Sequence, residues 1–255
     1  MMSRFFIEQK HEIGENVFIS GDDAHHIIKV LRHKPGDKLM LSDGKNTESI
    51  VIIEEIDYKG MQVKTKVVEN NNIKGVSTKI SLYQGLPKST KFDLVLQKNT
   101  EIGISRFIPV ITERTVTSIS SKKSESKLKR WRRIVKEACK QCMRPDIPEV
   151  CDIIQFEKAV DLIKDYDLAI IPWEHEEQNS LKNLLKKTDI KAEEIAIFIG
   201  PEGGFTKQEI ESAQKAGAFS VSLGPRILRT ETAAVVVSSI MMYELGDLGG
   251  QICLK

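Results

Sequence analysis

The apolar run Ile195-Ala196-Ile197-Phe198-Ile199-Gly200 leads straight into Pro201-Glu202-Gly203-Gly204, and Thr206-x-x-Glu209 follows. The run reads as a buried strand, and Thr206 with Glu209 as the capping box of a helix. A glycine cluster between a parallel strand and a helix lets a ligand approach the main chain closely. Its spacing is neither GxxxxGK[ST] nor GxGxxG; the plainer reading is a tight turn. A second apolar run, Phe219–Gly224, ends the same way, in Leu223-Gly224-Pro225-Arg226-Ile227-Leu228-Arg229-Thr230-Glu231-Thr232-Ala233. Two neighbouring strands would then present glycine-bearing loops at their carboxyl ends, where open α/β sheets bind ligands. A third strand end, Ile171-Pro172-Trp173-Glu174, would complete a pocket of three loops. Backbone donors and acceptors beside apolar Ile227 and Leu228 suit a flat base such as adenine better than a triphosphate. Arg229 and Glu231 flank this pocket at a helix start, and Glu202 lies in the adjacent loop.

Three other constellations invite chemistry. Lys122, Lys123, Lys127, Lys129, Arg130, Arg132 and Arg133 form a basic stretch that includes Trp131. Such density suits phosphate contact, and the indole could stack on a base; a solvated helix face and a packed indole are the plainer readings. His25-His26 suggests a metal, but adjacent helical residues point apart. Cys139-x-x-Cys142 lacks the second pair that zinc wants and the helix N-terminus that a redox motif wants. It reads as ordinary small residues on a packed face.

The elements that must hold these residues follow from periodicity. Short strands are expected at Arg4–Ile7, Asn16–Ser20, Lys38–Ser42, Glu48–Ile56 and Met61–Val68, with turns at Gly14, Pro35-Gly36, Asp43-Gly44 and Lys59-Gly60. One helix capped by Asp22 or Asp23 runs through His25, Ile28 and Leu31. This pattern fits a small β-barrel. From Lys79 strands and helices alternate. Strands lie at Lys79–Pro87, Phe107–Thr112, Asp167–Pro172, Ile195–Gly200 and Phe219–Gly224. Helices run from Ser89 to Gly103, from Ser124 to Met143, after Thr206, and from Thr230 to Gly246. Alternation with β-branched strands predicts a mainly parallel sheet covered on both faces. Asn70-Asn71-Asn72 through Gly75 reads as the natural linker, and the expected division is a barrel over residues 1–72, a linker over 73–78 and an α/β domain over 79–255.

Composition narrows the class. The 255 residues are 29% charged and 40% hydrophobic, enough apolar mass for a real core. No apolar run approaches membrane-spanning length and the N-terminus is charged, so a cytoplasmic protein is expected. Four cysteines make no disulfide framework. The net charge of +2 hides an asymmetry: residues 79–150 carry 16 Lys/Arg against 7 Asp/Glu, whereas residues 151–255 carry 11 against 17. The basic block suggests a polyanion surface.

GPEGGF followed by LGPRILRTETA resembles the paired signatures of the SPOUT methyltransferases, and more narrowly the RsmE family, the 16S rRNA (uracil-N3) methyltransferases. Arg4-Phe5-Phe6, His25–Asp37, Lys98-x-x-Glu101-x-Gly103, and Ala138 through Gln141 and Arg144 to Pro148 resemble that family's other motifs, in the same order. The resemblance implies a PUA-like β-barrel, an α/β trefoil-knotted catalytic domain and a homodimer. It also implies S-adenosylmethionine bound by loops Ile171–Glu174, Ile199–Gly204 and Leu223–Arg229, that is, by Ile171, Pro172, Ile199, Gly200, Glu202, Gly203, Gly204, Leu223, Gly224, Ile227, Leu228 and Arg229. The implied partner is 16S rRNA of the small ribosomal subunit. Lys129, Arg130, Arg132 and Arg133 are expected to meet it, with Lys91, Lys98, Gln141 and Arg144 near the cleft and Arg4, His25 and Arg32 from the barrel.

N3 of uracil carries a hydrogen and is a poor nucleophile until that proton leaves, so the site needs a base or a cation favouring the anion. The sulfonium supplies the leaving group, and the chemistry requires no metal. Arg229 is expected to stabilise the developing oxyanion, with Glu231 orienting the base or accepting the proton and Glu202 beside them. The competing reading is a structural Arg229–Glu231 ion pair, with Glu231 complementing the helix dipole. Other outcomes are ribose 2′-O methylation by the same fold, or a non-catalytic RNA-binding or ribosome-assembly protein.

Overall fold

The computed structural model describes residues 2–7, 11–45, 47–72, 78–116, 121–187 and 192–250, and leaves aside the side chains of 121–123 and 187. It divides into two compact units, Met1–Gly75 with Cys139–Ile147, and Val76–Ala138 with Pro148–Lys255.

The first unit is built on β1 (Arg4–Phe6), β2 (Asn16–Ile19), α1 (Gly21–His25), β3 (Lys38–Ser42), β4 (Thr47–Asp57) and β5 (Gln62–Asn72). These strands form one five-stranded sheet in the order β1-β3-β4-β5-β2. β1 runs parallel to β3 and the other pairs are antiparallel. Alternation along β2 and β5 sends Val17, Ile19, Val63, Thr65 and Val67 inward. There the four apolar residues among them meet Phe5, Ile27, Leu39, Leu41, Val51 and Ile53 in a single apolar cluster.

Two local expectations change. The helix begins after Ser20, and Asp22 and Asp23 lie in its first turn rather than capping it. It continues as a π-helical turn over His26–Val30, so the segment through Leu31 is not one α-helix. Asn70, Asn71 and Asn72, expected in a linker, instead pair with Ser49, Glu48 and Thr47 as the end of β5. The rest of that linker, at 73–77, lies outside the described residues.

The second unit contains β6 (Lys79–Gly85), α2 (Lys91–Ile102), β7 (Arg106–Ile111), most of α3 (Ser121–Cys142), β8 (Glu149–Val150), β9 (Ile154–Gln155) and α4 (Phe156–Asp161). It continues with β10 (Leu168–Pro172), α5 (Leu181–Lys187), β11 (Glu194–Ile199), α6 (Lys207–Lys215), β12 (Phe219–Val221) and α7 (Thr230–Glu244). Its seven-stranded sheet has the order β12-β10-β11-β6-β7-β8, with β9 also on β7, and each pairing is parallel. One face carries Tyr83, Ile108, Ala169, Ile171, Ala196 and Phe198 against α4 and α6. The opposite face is covered in part by α2 and α7, which pack on one another. The parallel sheet covered on both sides is the layering expected of β-branched strands alternating with helices.

α3 is amphipathic. Leu128, Trp131, Val135 and Ala138 are buried at helical spacing. Trp131 meets the Phe92 ring edge-on at 4.6 Å, so the indole is a packing group. α2 opens at Lys91 after Thr90 and stops at Gly103, whose φ of +118° is a left-handed helix end. No helix of the described residues is long and apolar enough to cross a membrane.

Candidate active site

β12, β10 and β11 are neighbours in the sheet and all run the same way, so their carboxyl ends open side by side. Three loops leave from there: Trp173 onward from β10, Gly200–Phe205 from β11 and Ser222–Arg229 from β12. Together they enclose a cavity of about 830 Å³, within the range of small-molecule sites.

The loops are shaped by specific main-chain demands. After β11 the chain doubles back so tightly that a Cβ on Gly200 would stand 3.0 Å from the main chain of Gly204. Thr206 then caps α6 in a full capping box with Glu209. After β12, Gly224 takes φ +108° with open space around it, a conformation that side-chain-bearing residues disfavour. A buried polar knot ties these pieces together. Gln84 Nε2 at the end of β6 donates to Thr230 Oγ1 at 2.9 Å, and that hydroxyl donates to the Gly200 carbonyl at 2.5 Å. One glutamine thus fixes the start of α7 against the β11 loop.

Pro172, Ile199, Gly200, Glu202, Gly204, Leu223, Gly224, Ile227, Leu228 and Arg229 all line the cavity. Two residues expected with them do not. Ile171 is fully buried inside β10. Gly203 faces the aliphatic part of Arg114, whose Nη1 donates to the Gly203 carbonyl at 2.7 Å. Trp173 and Glu174, expected in the third loop, line the cavity as well. The sequence reading passed over the rest of that wall, where Glu176, Asn179 and Asn183 line the cavity, held by a bridge between Ser180 and Ser222. The Trp173 indole Nε1 is buried with no hydrogen-bond partner.

The charged groups bear on the competing reading of a structural Arg229–Glu231 pair. Among the described residues no ion pair joins Arg229 to Glu231. Arg229 is exposed at the head of α7. Lys91, at the start of α2, lies between the two carboxylates, with Nζ 3.0 Å from Glu202 and 3.9 Å from Glu231. The Lys88 amide also donates to Glu202, at 3.1 Å. Partial burial pushes the Glu202 carboxyl up, but the Lys91 side chain and the main-chain amides outweigh it and hold the group below its ordinary 4.5. Glu202 therefore strengthens its loop above the ordinary carboxylate range, and that contribution is lost as pH falls through the lowered value. Glu231 Oε2 is buried and accepts no hydrogen bond.

The residues expected to meet RNA sort into free and engaged groups. Lys129 and Arg133 are exposed on α3. Arg130 is paired with Asp93 and Arg132 reaches the Val150 carbonyl at 3.3 Å. Lys98 is 3.0 Å from Glu101. The side chains of Lys122 and Lys123 lie outside those described. In the first unit His25, Arg32 and Gln141 are exposed. Arg144 holds Asp146 at 2.7 Å. Arg4 is 8% exposed and paired with Glu48, because all three residues of the edge strand β1 are buried; it is not presented at the surface. Burial pushes the Cys139 thiol up to about 12, as befits an inert packed cysteine.

Comparison with known proteins agrees with this architecture. An RNA methyltransferase domain matches residues 75–242, and an RNA methyltransferase PUA domain matches residues 19–66. Ribosomal RNA small subunit methyltransferase E of Bacillus subtilis is 32% identical, over 98% of this chain and 99% of its own length. The enzyme of that name from Neisseria gonorrhoeae, crystallised bound to S-adenosyl methionine, is 29% identical with a TM-score of 0.85, covering 97% of this chain and 99% of the other. A Legionella pneumophila methyltransferase in complex with the cofactor is 30% identical with a TM-score of 0.86, over 97% and 100%. The mixed sheet and the parallel sheet are thus a PUA-like domain and a SPOUT methyltransferase fold, and the chain belongs to the ribosomal RNA small subunit methyltransferase E family.

Proposed function

We propose that this protein transfers a methyl group from S-adenosylmethionine to N3 of a uridine in 16S rRNA of the small ribosomal subunit. The observation that carries the reading is the cavity at three adjacent strand ends, with Lys91 and Glu202 in its wall and Glu231, outside the lining, 3.9 Å from the Lys91 ammonium. Its residues fit the cofactor. Ile227, Leu228 and Phe205 offer apolar surface to a flat base, and loop amides offer donors. Bound, the cofactor supplies an activated methyl and a neutral leaving group.

The protein's own groups do the rest. Gly200 and Gly224 allow close approach to the main chain. Arg229 faces the charge that develops on the uracil, and Glu231 orients the base or takes the N3 proton. The N3 atom lies on the pairing edge, so the uridine must leave its stack to enter. Lys129 and Arg133 meet the phosphates. By analogy with the family, the β10, β11 and β12 loops belong to a trefoil knot and the enzyme acts as a cytoplasmic homodimer.

The test is methyl transfer from labelled S-adenosylmethionine to small subunits lacking the modification, with the product nucleoside identified. A single 3-methyluridine is expected. Another methylated nucleoside would move the protein to a different SPOUT activity, and no transfer to any RNA would overturn the enzyme reading. Binding has its own reporter, since the two tryptophans are Trp131, buried against Phe92, and Trp173 in the cavity wall. In a Trp131→Phe background, Trp173 emission is expected to change and saturate with added S-adenosylmethionine. A flat titration would mean that the cofactor does not reach this wall.

A further inference from the structure

We infer that Lys91 is a catalytic residue, an ammonium that hydrogen-bonds a carbonyl oxygen of the target uracil and lowers the cost of ionising N3. The inference rests on the uridine-N3 reading above and assigns a role within that site. Loss of the N3 proton leaves a charge shared with the two flanking oxygens, O2 and O4. One cation can serve each, and Arg229 accounts for only one.

Several observations single out Lys91. It lines the cavity while its neighbours along α2 pack inward, Phe92 and Val95 being buried. Its Nζ is held between Glu202 and Glu231 at 3.0 and 3.9 Å, carboxylates that lie 111 and 140 positions further along the chain. An ammonium has three donors; Glu202 engages one, and Glu231 stands beyond hydrogen-bond reach. Glu202 is itself fixed by the Lys88 amide. The buried Glu231 Oε2, with no hydrogen bond, is compensated by the nearby ammonium rather than by a donor. A cation fixed in advance gains most at a developing charge, because nothing reorganises during the reaction.

The other charged residues lining the cavity are Arg229 and Arg226 on the β12 loop and Glu174, Glu176 and Glu177 on the opposite wall. Arg229 and Arg226 are exposed and not held by a partner in this way. In the step itself the N3 proton passes to Glu231 or to water, leaving its bonding pair on nitrogen. That pair forms the new N3–CH₃ bond. The pair of the broken C–S bond stays on sulfur, which loses its positive charge.

Lys91→Gln in the full-length protein tests this on the same small subunits. The expected result is a kcat lower by roughly 10²–10³-fold at neutral pH. The rate should then climb with pH beyond the point where the wild type levels off. S-adenosylmethionine affinity, read from Trp173 emission, should be unchanged, which also shows that the variant is folded. Lys91→Arg should keep most of the rate. A loss equal at every pH, or a raised KM with unchanged kcat, would overturn the role and leave Lys91 as a positioning or phosphate-binding group. Absence of 3-methyluridine from the wild type, assayed alongside, would instead overturn the functional reading, and the proposal with it.

Discussion

Gly200→Val is expected to weaken S-adenosylmethionine binding by about 10- to 100-fold while the protein still folds. A Cβ at this position would lie 3.0 Å from the carbonyl carbon and Cα of Gly204 and 3.2 Å from the Phe205 nitrogen. These are main-chain atoms, so relief requires the loop to open rather than a side chain to swing away. Overpacking of this kind costs about 1–3 kcal/mol, and each 1.4 kcal/mol is a factor of about ten in affinity. Gly224→Val should lose affinity by a different route. It has free space, but a φ of +108° that valine adopts only with strain. Gly203→Ala provides the contrast: its Cβ would meet the Arg114 side chain at 3.2 Å, outside the cavity wall, and a smaller loss is expected. Calorimetric titration gives the affinities, and melting curves without ligand establish that each variant is folded. An unchanged Kd in folded Gly200→Val would remove the β11 loop from the cofactor site.

The loops could be read from the sequence because their determinants are local. A β-branched run, a glycine pair and Thr206-x-x-Glu209 stand within 15 consecutive residues, and each forces its own piece of backbone. The parallel sheet was legible for the same reason, through the alternation of strand and helix periods. Gln84 was not. A polar residue near the end of an apolar strand has no local signature, and its meaning comes from Thr230, 146 positions away. The outer wall from Glu176 to Asn183 was missed because it lacks periodicity, and it is held through main-chain contacts to Ser222.

Charge was the least legible property. Spacing placed Arg229 near Glu231 at a helix start and left a structural pair as the competing reading. The fold instead brings Lys91 to Glu231 from another helix, since α2 and α7 pack together. Arg4 shows the same limit. Its motif suggested an exposed contact, yet β1 aligns it with Met40 and the sheet buries it beside Glu48. A sequence supplies the charged group, but its partner is set by register and by which elements pack.

The basic helix turns that limit into a measurable distinction. Neutralising Lys129 and Arg133 together, as Lys129→Gln with Arg133→Gln, is expected to lower the slope of log K against log salt for rRNA by about 1.4–1.8, at 0.7–0.9 per phosphate contact. At about 0.1 M salt each such contact contributes close to one log unit, so affinity should fall more than tenfold. The two residues stand four apart on α3 and share one exposed face, opposite the buried Leu128, Trp131 and Val135. Arg130→Gln should behave differently from either single change, although it removes the same one formal charge. Its guanidinium is committed to Asp93, so its loss acts first on the attachment of α3 to α2 and leaves the salt slope nearly intact. Filter binding across a salt series separates the two outcomes, with S-adenosylmethionine affinity as the control that neither change should move. Equal slopes for the double variant and the wild type would mean that this face is only solvated. A fall in slope for Arg130→Gln as large as for one exposed residue would mean that RNA displaces Asp93 from its partner. The contrast works because charge density along the helix is nearly uniform in sequence, whereas the engagement of each charge is set by the fold.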